Sequence, residues 1–256
     1  MQIAVVTGSG RGIGRSIAVR LAKAGFSIVI NVKRHIEEGE EALREVKKHG
    51  DGILVQADVS TVDGASKLIN EAINAFGSID VLVNNAGLGI AKPFMEIDES
   101  LWDKLISTNL KSVYLVTRAA LPHMIKKGHG KIINITSIAG ITGLAYLVPY
   151  SAAKAGIIGF TKALAAEVGP LGITVNAVAA GLVKTKMGDS LLQYIGQNEE
   201  TWAKMHTLTG SIVESDEVAE LVAALASDNI RNLIGEVIVI DSGSSIIESR
   251  RFVLDK

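Results

Sequence analysis

The sequence predicts an α/β fold, a single doubly wound parallel sheet of about seven strands with helices on both faces. Three observations predict it. Short β-branched runs alternate with longer segments of helical spacing from one end of the chain to the other. The runs are continuously apolar instead of alternating in and out, the pattern of strands covered on both faces. Gly25, Gly50 and Gly77 stand where a helix must stop before the next strand begins.

In chain order, residues 3–6 form the first strand and 14–24 the first helix, and residues 27–31 and 36–49 repeat the pair. Residues 52–56 lead into a helix over 62–76, and residues 80–84 into a long helical stretch over 101–127. The strand at 131–136 is followed by a helix at 149–168, then by a strand at 173–178. A helix over 216–227 opens on Ser215-Asp216-Glu217, acidic residues suited to a positive helix N-terminus, and a strand at 236–240 closes the series. Each strand–helix–strand unit crosses over right-handed, which winds the sheet. Residues 180–214 break the rhythm with no strand candidate and two weakly amphipathic stretches around Leu191 and Trp202. This interval is read as a substrate lid, or as a surface excursion packing two helices. One domain over residues 1–256 is expected, ending in a tail at 244–256.

Composition narrows the function. Of 256 residues, 26 are basic and 27 acidic, so the net charge of −1 gives no footprint for nucleic acid. With 48% hydrophobic residues there is material for a large core. The absence of cysteine excludes disulfides, thiol catalysis, Cys-ligated zinc and iron–sulfur clusters. Apolar stretches such as 218–226 are too short to span a membrane, and the first residues lack the pattern of a signal peptide. A cytoplasmic protein is the expectation. The five histidines show no pair with helix-face ligand spacing, so no metal site is predicted.

The first strand runs into Thr7-Gly8-Ser9-Gly10-Arg11-Gly12-Ile13-Gly14, which opens the first helix. Ile13 stands where the G-x-G-x-x-G fingerprint needs its third glycine, and Gly8, Gly12 and Gly14 instead form G-x-x-x-G-x-G. A turn without Cβ atoms lets backbone N–H groups and the helix N-terminus approach a pyrophosphate, as in Rossmann-type folds, although a tight structural turn needs glycines too. The second strand ends in Asn31-Val32-Lys33-Arg34, with no carboxylate before Glu37 to accept from a ribose 2′-hydroxyl. Lys33 and Arg34, with Arg11, suit a 2′-phosphate, so NADP(H) is expected over NAD(H); the alternative is a solvated cap on the second helix.

Tyr150 and Lys154, four apart in a helical segment, share one helix face. An ammonium beside a phenol favours the phenolate and brings an ordinary pKa near ~10 toward the working range. Read blandly, they are a core tyrosine and a surface lysine. Ser137 follows the fifth strand, at the carboxyl end where parallel sheets bind ligands, and can donate to an oxygen that becomes alkoxide-like. Asn84-Asn85-Ala86-Gly87 closes the fourth strand in the same layer. Asn109 stands in a helical stretch, where its amide holds a water or bonds local backbone.

Together these residues identify a resemblance to the short-chain dehydrogenase/reductase family over essentially the whole chain, from Thr7 to Asp241. The resemblance implies that Tyr150 is the general acid/base and that Ser137 fixes the substrate carbonyl. Lys154 would bind the nicotinamide ribose and lower the tyrosine pKa, and Asn109 would hold a water of the proton relay. Asp58 and Val59 would border the adenine, Asn85 would lie on the adenosine ribose side, and Val183 and Thr185 would meet the nicotinamide amide. Ala86, Gly87 and Gly181 complete the implied cofactor contacts. The implied reaction is hydride transfer between the nicotinamide and a carbonyl carbon, with a small-molecule carbonyl or alcohol as partner and a homotetramer as the assembly.

Within the family the chain most resembles 3-oxoacyl-acyl-carrier-protein reductases. Gly128 and Leu171 stand where those reductases usually carry carrier-docking arginines, and Ala180-Gly181 replaces their Pro-Gly. The primary expectation is therefore a general NADP(H)-linked carbonyl reductase or alcohol dehydrogenase, with the acyl reductase as the alternative. A dinucleotide-binding regulatory protein without turnover is the reading from a different class.

Overall fold

The computed structural model describes residues 2–247. Seven parallel strands form one sheet in the order β3-β2-β1-β4-β5-β6-β7. They are β1 (Gln2–Val6), β2 (Phe26–Val32), β3 (Gly52–Gln56), β4 (Val81–Asn84), β5 (Gly130–Ser137), β6 (Ile173–Ala180) and β7 (Val237–Ile240). The expected strands are all present, each within two residues of the expected bounds. Strand order reverses between β1, which pairs with β2, and β4 on its other side, and ligands of open α/β sheets bind at such a switch point.

Although the strands read as unbroken apolar runs, their side chains still alternate. Ala4 and Val6 enter one core with Ile17 and Leu21 of α1 (Gly12–Lys23). Ile3 and Val5 enter the opposite core with Leu68 of α3 (Val62–Phe76). The first core also takes Ala42 of α2 (Ile36–Val46) and Val222 of α10 (Ser215–Ala226). Gly77 ends α3 in the left-handed conformation at φ 78°, as its place in the sequence suggested. Glu217 closes the start of α10 by accepting from the Glu214 N–H at 2.8 Å.

The stretch expected as one helix over 101–127 is three pieces. α4 (Glu99–Ile106) is followed by a π-helical turn (Ser107–Lys111) and then by α5 (Ser112–Lys127). The widened turn is centred on Asn109. A short α6 (Ala139–Thr142), not foreseen from sequence, precedes the long α7 (Val148–Val168). Ala180 belongs to β6, so the excursion starts at Gly181. It holds two helices at the expected places, α8 (Lys186–Tyr194) and α9 (Glu199–His206), and its base is closed by an isolated bridge between Val183 and Val213. At the start of the tail, the Ser245 N–H donates to Asp241 Oδ2 at 2.7 Å. The rest of the tail, 248–256, with Arg250, Arg251 and Phe252, lies outside the described residues.

Candidate active site

The carboxyl ends of β1, β4, β5 and β6 meet in one layer, and the glycine turn after β1 is its floor. Gly8 and Gly12 have φ of 62° and 52°, in the region that favours glycine. A Cβ on Gly14 would stand 2.4 Å from the Gly8 carbonyl oxygen and 2.5 Å from Asn85 Nδ2, so only glycine lets the helix start this close to the turn. The turn is tied to β4: the Thr7 hydroxyl accepts from the N–H groups of Asn85 and Ala86 at 2.9 and 3.0 Å. Asn85 Nδ2 donates to the carbonyls of Thr7 and Gly8 at 2.9 and 3.1 Å. Asn85 therefore braces the turn with the amide that resemblance assigned to a ribose. Ser9 ties the turn to β2, donating to the Val6 carbonyl at 2.7 Å and accepting from the Asn31 N–H at 3.0 Å. Ile13 faces inward, packed on the core beneath. This is a cradle that side chains would fill, and it fits a dinucleotide pyrophosphate at a helix N-terminus.

At the end of β2, Asn31 is buried and its amide is fully used. It accepts from the Gly8 N–H at 3.2 Å and donates to the Val55 and Ala57 carbonyls at 3.3 and 3.1 Å. Lys33 pairs with Asp58 at 2.7 Å, so a cation expected at a phosphate holds the carboxylate expected at the adenine. Burial pushes the Asp58 carboxyl up, and the Lys33 and Ser60 hydrogen bonds outweigh it and hold it low. Val59 is buried beside it. Arg11 reaches Glu38 of α2 at 3.4 Å, and Lys186 of α8 reaches the same carboxylate oxygen at 3.2 Å. Arg34 is exposed.

Ser137 ends β5, and Tyr150 and Lys154 stand one turn apart on α7. The Ser137 hydroxyl oxygen accepts from the Ala139 N–H at 3.1 Å, which leaves its proton to donate elsewhere. Lys154 is buried at 4% exposure, donates to the Ile135 carbonyl at 2.8 Å, and places Nζ 5.5 Å from the centroid of the Tyr150 ring. Burial lowers the Lys154 pKa to about 8. Burial raises the Tyr150 phenol, and the neighbouring Ser137 hydroxyl pulls it only part of the way back. In the protein alone, burial is thus the larger influence on the phenol and favours its neutral form.

Asn109 is fully buried, and its amide is spent on backbone. Oδ1 accepts from the Leu88 N–H at 3.0 Å, and Nδ2 donates to the Leu88 and Leu105 carbonyls at 2.8 and 2.9 Å. These bonds, one to the local backbone at Leu105 and two to Leu88, anchor the segment after β4 to the π turn. Gly87, in that segment, sits so close that a Cβ would fall 2.8 Å from Asn109 Oδ1 and 3.7 Å from Lys154 Nζ. At the lid base, the Gly181 N–H donates to the Ile240 carbonyl at 2.9 Å, and Val183 sits in the bridge to Val213. Thr185 caps α8 by accepting from the Gly188 N–H at 3.2 Å, and its methyl lies 3.4 Å from where a Gly12 Cβ would stand. Helix α8 therefore begins directly over the glycine turn.

Two site residues were missed from sequence. Gly140 lets α6 lie against α7, and Glu38 joins the turn to the lid. A glycine three residues past Ser137 was the available signal for the first; for the second there was none. Among the described residues no helix is long and apolar enough to cross a membrane, and no group of three or more His, Asp or Glu side chains could hold a metal ion.

The short chain dehydrogenase family model matches residues 2–195. The chain is 39% identical over 241 residues to the 3-oxoacyl-[acyl-carrier-protein] reductase FabG of Staphylococcus aureus (strain Mu50), covering 94% of this chain and 96% of that one. It is 37% identical over 246 residues to the (2S)-[(R)-hydroxy(phenyl)methyl]succinyl-CoA dehydrogenase subunit BbsD of Thauera aromatica, covering 96% and 97%. A crystal structure of a protein provisionally assigned as a short-chain alcohol dehydrogenase, from Sinorhizobium meliloti 1021, superposes with a TM-score of 0.90 at 32% identity, covering 95% of this chain and 96% of that one.

Proposed function

The chain belongs to the short-chain dehydrogenase family, and from that premise we propose that it interconverts a carbonyl and an alcohol with NADP(H), Tyr150 exchanging the proton. It is an oxidoreductase of the family, with a nicotinamide dinucleotide as cofactor. The observation that carries the proposal is the placement of Lys154 Nζ beside the Tyr150 ring at the strand end that presents Ser137.

The turn at Gly8–Gly14 would hold the pyrophosphate, Arg11 with Arg34 would receive the 2′-phosphate, and Val183 and Thr185 would border the nicotinamide amide, a cofactor that would supply or accept the hydride. Ser137, whose hydroxyl meets the Tyr150 phenol, turns its proton to the substrate oxygen and orients it toward Tyr150. In reduction the neutral phenol protonates the developing alkoxide, and in oxidation it must first become the phenolate. Lys154 keeps one N–H on Ile135, which leaves two for ribose hydroxyls and fixes the charge beside the phenol.

A second reading, reduction of a 3-oxoacyl group on an acyl carrier protein, is favoured by the likeness to FabG reductases. Gly128 and Leu171 in place of basic side chains argue for a substrate not delivered by that carrier. Half-exposed Tyr114 and Ile125 on α5 support self-association, and we propose a homotetramer. A purely regulatory dinucleotide-binding role would need neither the buried lysine nor the serine with its free proton.

The test is a spectrophotometric screen with NADPH and NADH against acetoacetyl thioesters, sugars, diketones and simple ketones. NADPH oxidation with one or more of these supports the reading. Cofactor binding without oxidation of any carbonyl rejects it.

A further inference from the structure

Tyr146, in the segment between α6 and α7, has φ 65°, a left-handed conformation that a bulky side chain enters only against strain. The conformation is held in place. The Tyr146 carbonyl accepts from the Lys92 N–H at 2.8 Å, and Ser151 Oγ accepts from the Leu144 N–H at 3.2 Å. The ring is not spent on the core, since the residue is 49% exposed. Its partner is on the lid: the Tyr146 and Tyr194 centroids lie 5.7 Å apart with ring planes at 64°, edge to face, and Tyr194 is 45% exposed.

The pair connects to the reacting groups through α8. Tyr194 ends that helix, and Met187 near its start has its sulfur 3.3 Å from where a Gly89 Cβ would stand; Tyr150 Cδ2 lies 3.9 Å from the same point. The seven residue steps from Met187 to Tyr194 span about 10 Å of helix. Tyr194 thus stands about two helical turns along α8 from Met187, the residue of that helix that shares the Gly89 contact with the Tyr150 ring.

Two rings meeting edge to face leave one face and one edge open, an arrangement that a third ring completes with favourable quadrupoles and that a flexible alkyl chain fills without that gain. We propose that Tyr146 and Tyr194 form a recognition notch for an aromatic group carried several bonds from the reacting carbonyl, a substrate specificity that rests on the carbonyl-reductase reading above. The hydrogen bonds that hold Tyr146 in its left-handed conformation keep its ring in the notch. Met187 lines the path between notch and phenol, where a thioether suits a passing aromatic edge.

The experiment compares initial rates of the full chain with NADPH on ethyl 5-phenyl-3-oxopentanoate, ethyl 3-oxooctanoate and ethyl acetoacetate. The expected result is a kcat/KM about tenfold higher for the phenyl ester than for the octanoate, expressed mainly in KM. Tyr146→Gly and Tyr194→Ala should each bring that ratio to within about threefold of unity, and the double variant should go no further, because the two rings make one notch. Tyr194→Ala changes a half-exposed lid position and tests the notch even where the loop variant folds poorly. A wild-type ratio near one, or a preference for the octanoate, overturns the inference and leaves the reductase reading standing. Variants that slow all three esters equally and shift only Tm also overturn it, since the rings are then structural. No oxidation of NADPH with any of the esters or the wider carbonyl panel removes the reductase reading and the inference with it.

Discussion

The Lys154 ammonium is pinned between the Ile135 carbonyl, 2.8 Å away, and the Tyr150 ring, whose centroid is 5.5 Å away. The strand end and the helix face that carry these groups are held together by the Thr136 hydroxyl, which donates to the Lys154 carbonyl at 2.8 Å. The charge is thus fixed by a backbone carbonyl, and the helix that carries it is tied to the strand by a threonine hydroxyl.

Tyr150→Phe removes the transferable proton and leaves the ring, the Lys154 contact and the glycine cradle in place. Turnover should fall about 10²–10⁴-fold, the range for loss of a positioned general acid. NADPH binding, followed by the fluorescence of the reduced nicotinamide, should change less than about threefold. Loss of binding in parallel with turnover would place Tyr150 in the cradle instead of the chemistry.

Lys154→Met should stabilise the protein while silencing it. Burial holds the Lys154 ammonium at a pKa of about 8, below the ordinary 10.5 of a lysine. The unfolded chain therefore binds more protons between those values, and stability rises with pH across that window. The penalty is fully present below pH 8 and amounts to about 3 kcal/mol at most. Methionine escapes it but leaves the Ile135 carbonyl unpaired at a cost of about 1–3 kcal/mol, so the variant should gain at most about 2 kcal/mol at pH 7. Urea unfolding at pH 7 and pH 10 checks the sign: the advantage should shrink as pH rises, and one that grows would contradict it.

Much of this was legible before the coordinates. Continuous apolar strands and glycine-stopped helices needed only nearest neighbours to read, so β1 to β7 and the glycine turn stood out. What escaped depends on partners distant in the chain. The break at Asn109 is set by its bonds to Leu88, 21 residues earlier. Asn84 and Asn134 lie inside apolar strands because Asn84 Nδ2 donates to Asn134 Oδ1 at 2.8 Å and Asn134 Nδ2 to the Thr161 hydroxyl at 2.9 Å. Lys33 read as free for a phosphate because Asp58, its partner, is on the next strand's exit. The left-handed Tyr146 had no local signal, since turn conformations of this kind announce themselves by glycine or asparagine.

Cofactor preference should move in opposite directions at Arg11 and Glu38. Burial pushes the Glu38 carboxyl up, but Lys186 and Arg11 hold it low, so it stays ionised at working pH and competes with a 2′-phosphate for Arg11. Arg11→Gln should raise KM for NADPH about tenfold, the scale of one charge-assisted contact, with a smaller effect on NADH. Glu38→Gln should lower KM for NADPH severalfold. Equal changes for both cofactors would show that Arg11 serves the turn and not the phosphate.

Gly140→Ala tests how far the catalytic geometry depends on one missing methyl group. A Cβ there would stand 2.5 Å from the Lys154 carbonyl carbon and 2.7 Å from the Ala155 nitrogen, both backbone atoms of α7. Backbone of a buried helix cannot yield as a side-chain tip can, so α6 must lift away from α7. α6 follows Ser137 directly, and its Ala139 N–H is the donor that orients the serine hydroxyl. The strain should therefore separate Ser137 from Tyr150 while sparing the glycine turn, which belongs to β1 and α1. The expected outcome is a loss in kcat of about 10²-fold from a displacement near 1 Å, with stability lower by about 1–3 kcal/mol. NADPH affinity should stay within about threefold of the wild type, because nothing on the nucleotide side has moved. A fall in affinity as large as the fall in kcat would mean that the two halves of the site are not mechanically separate.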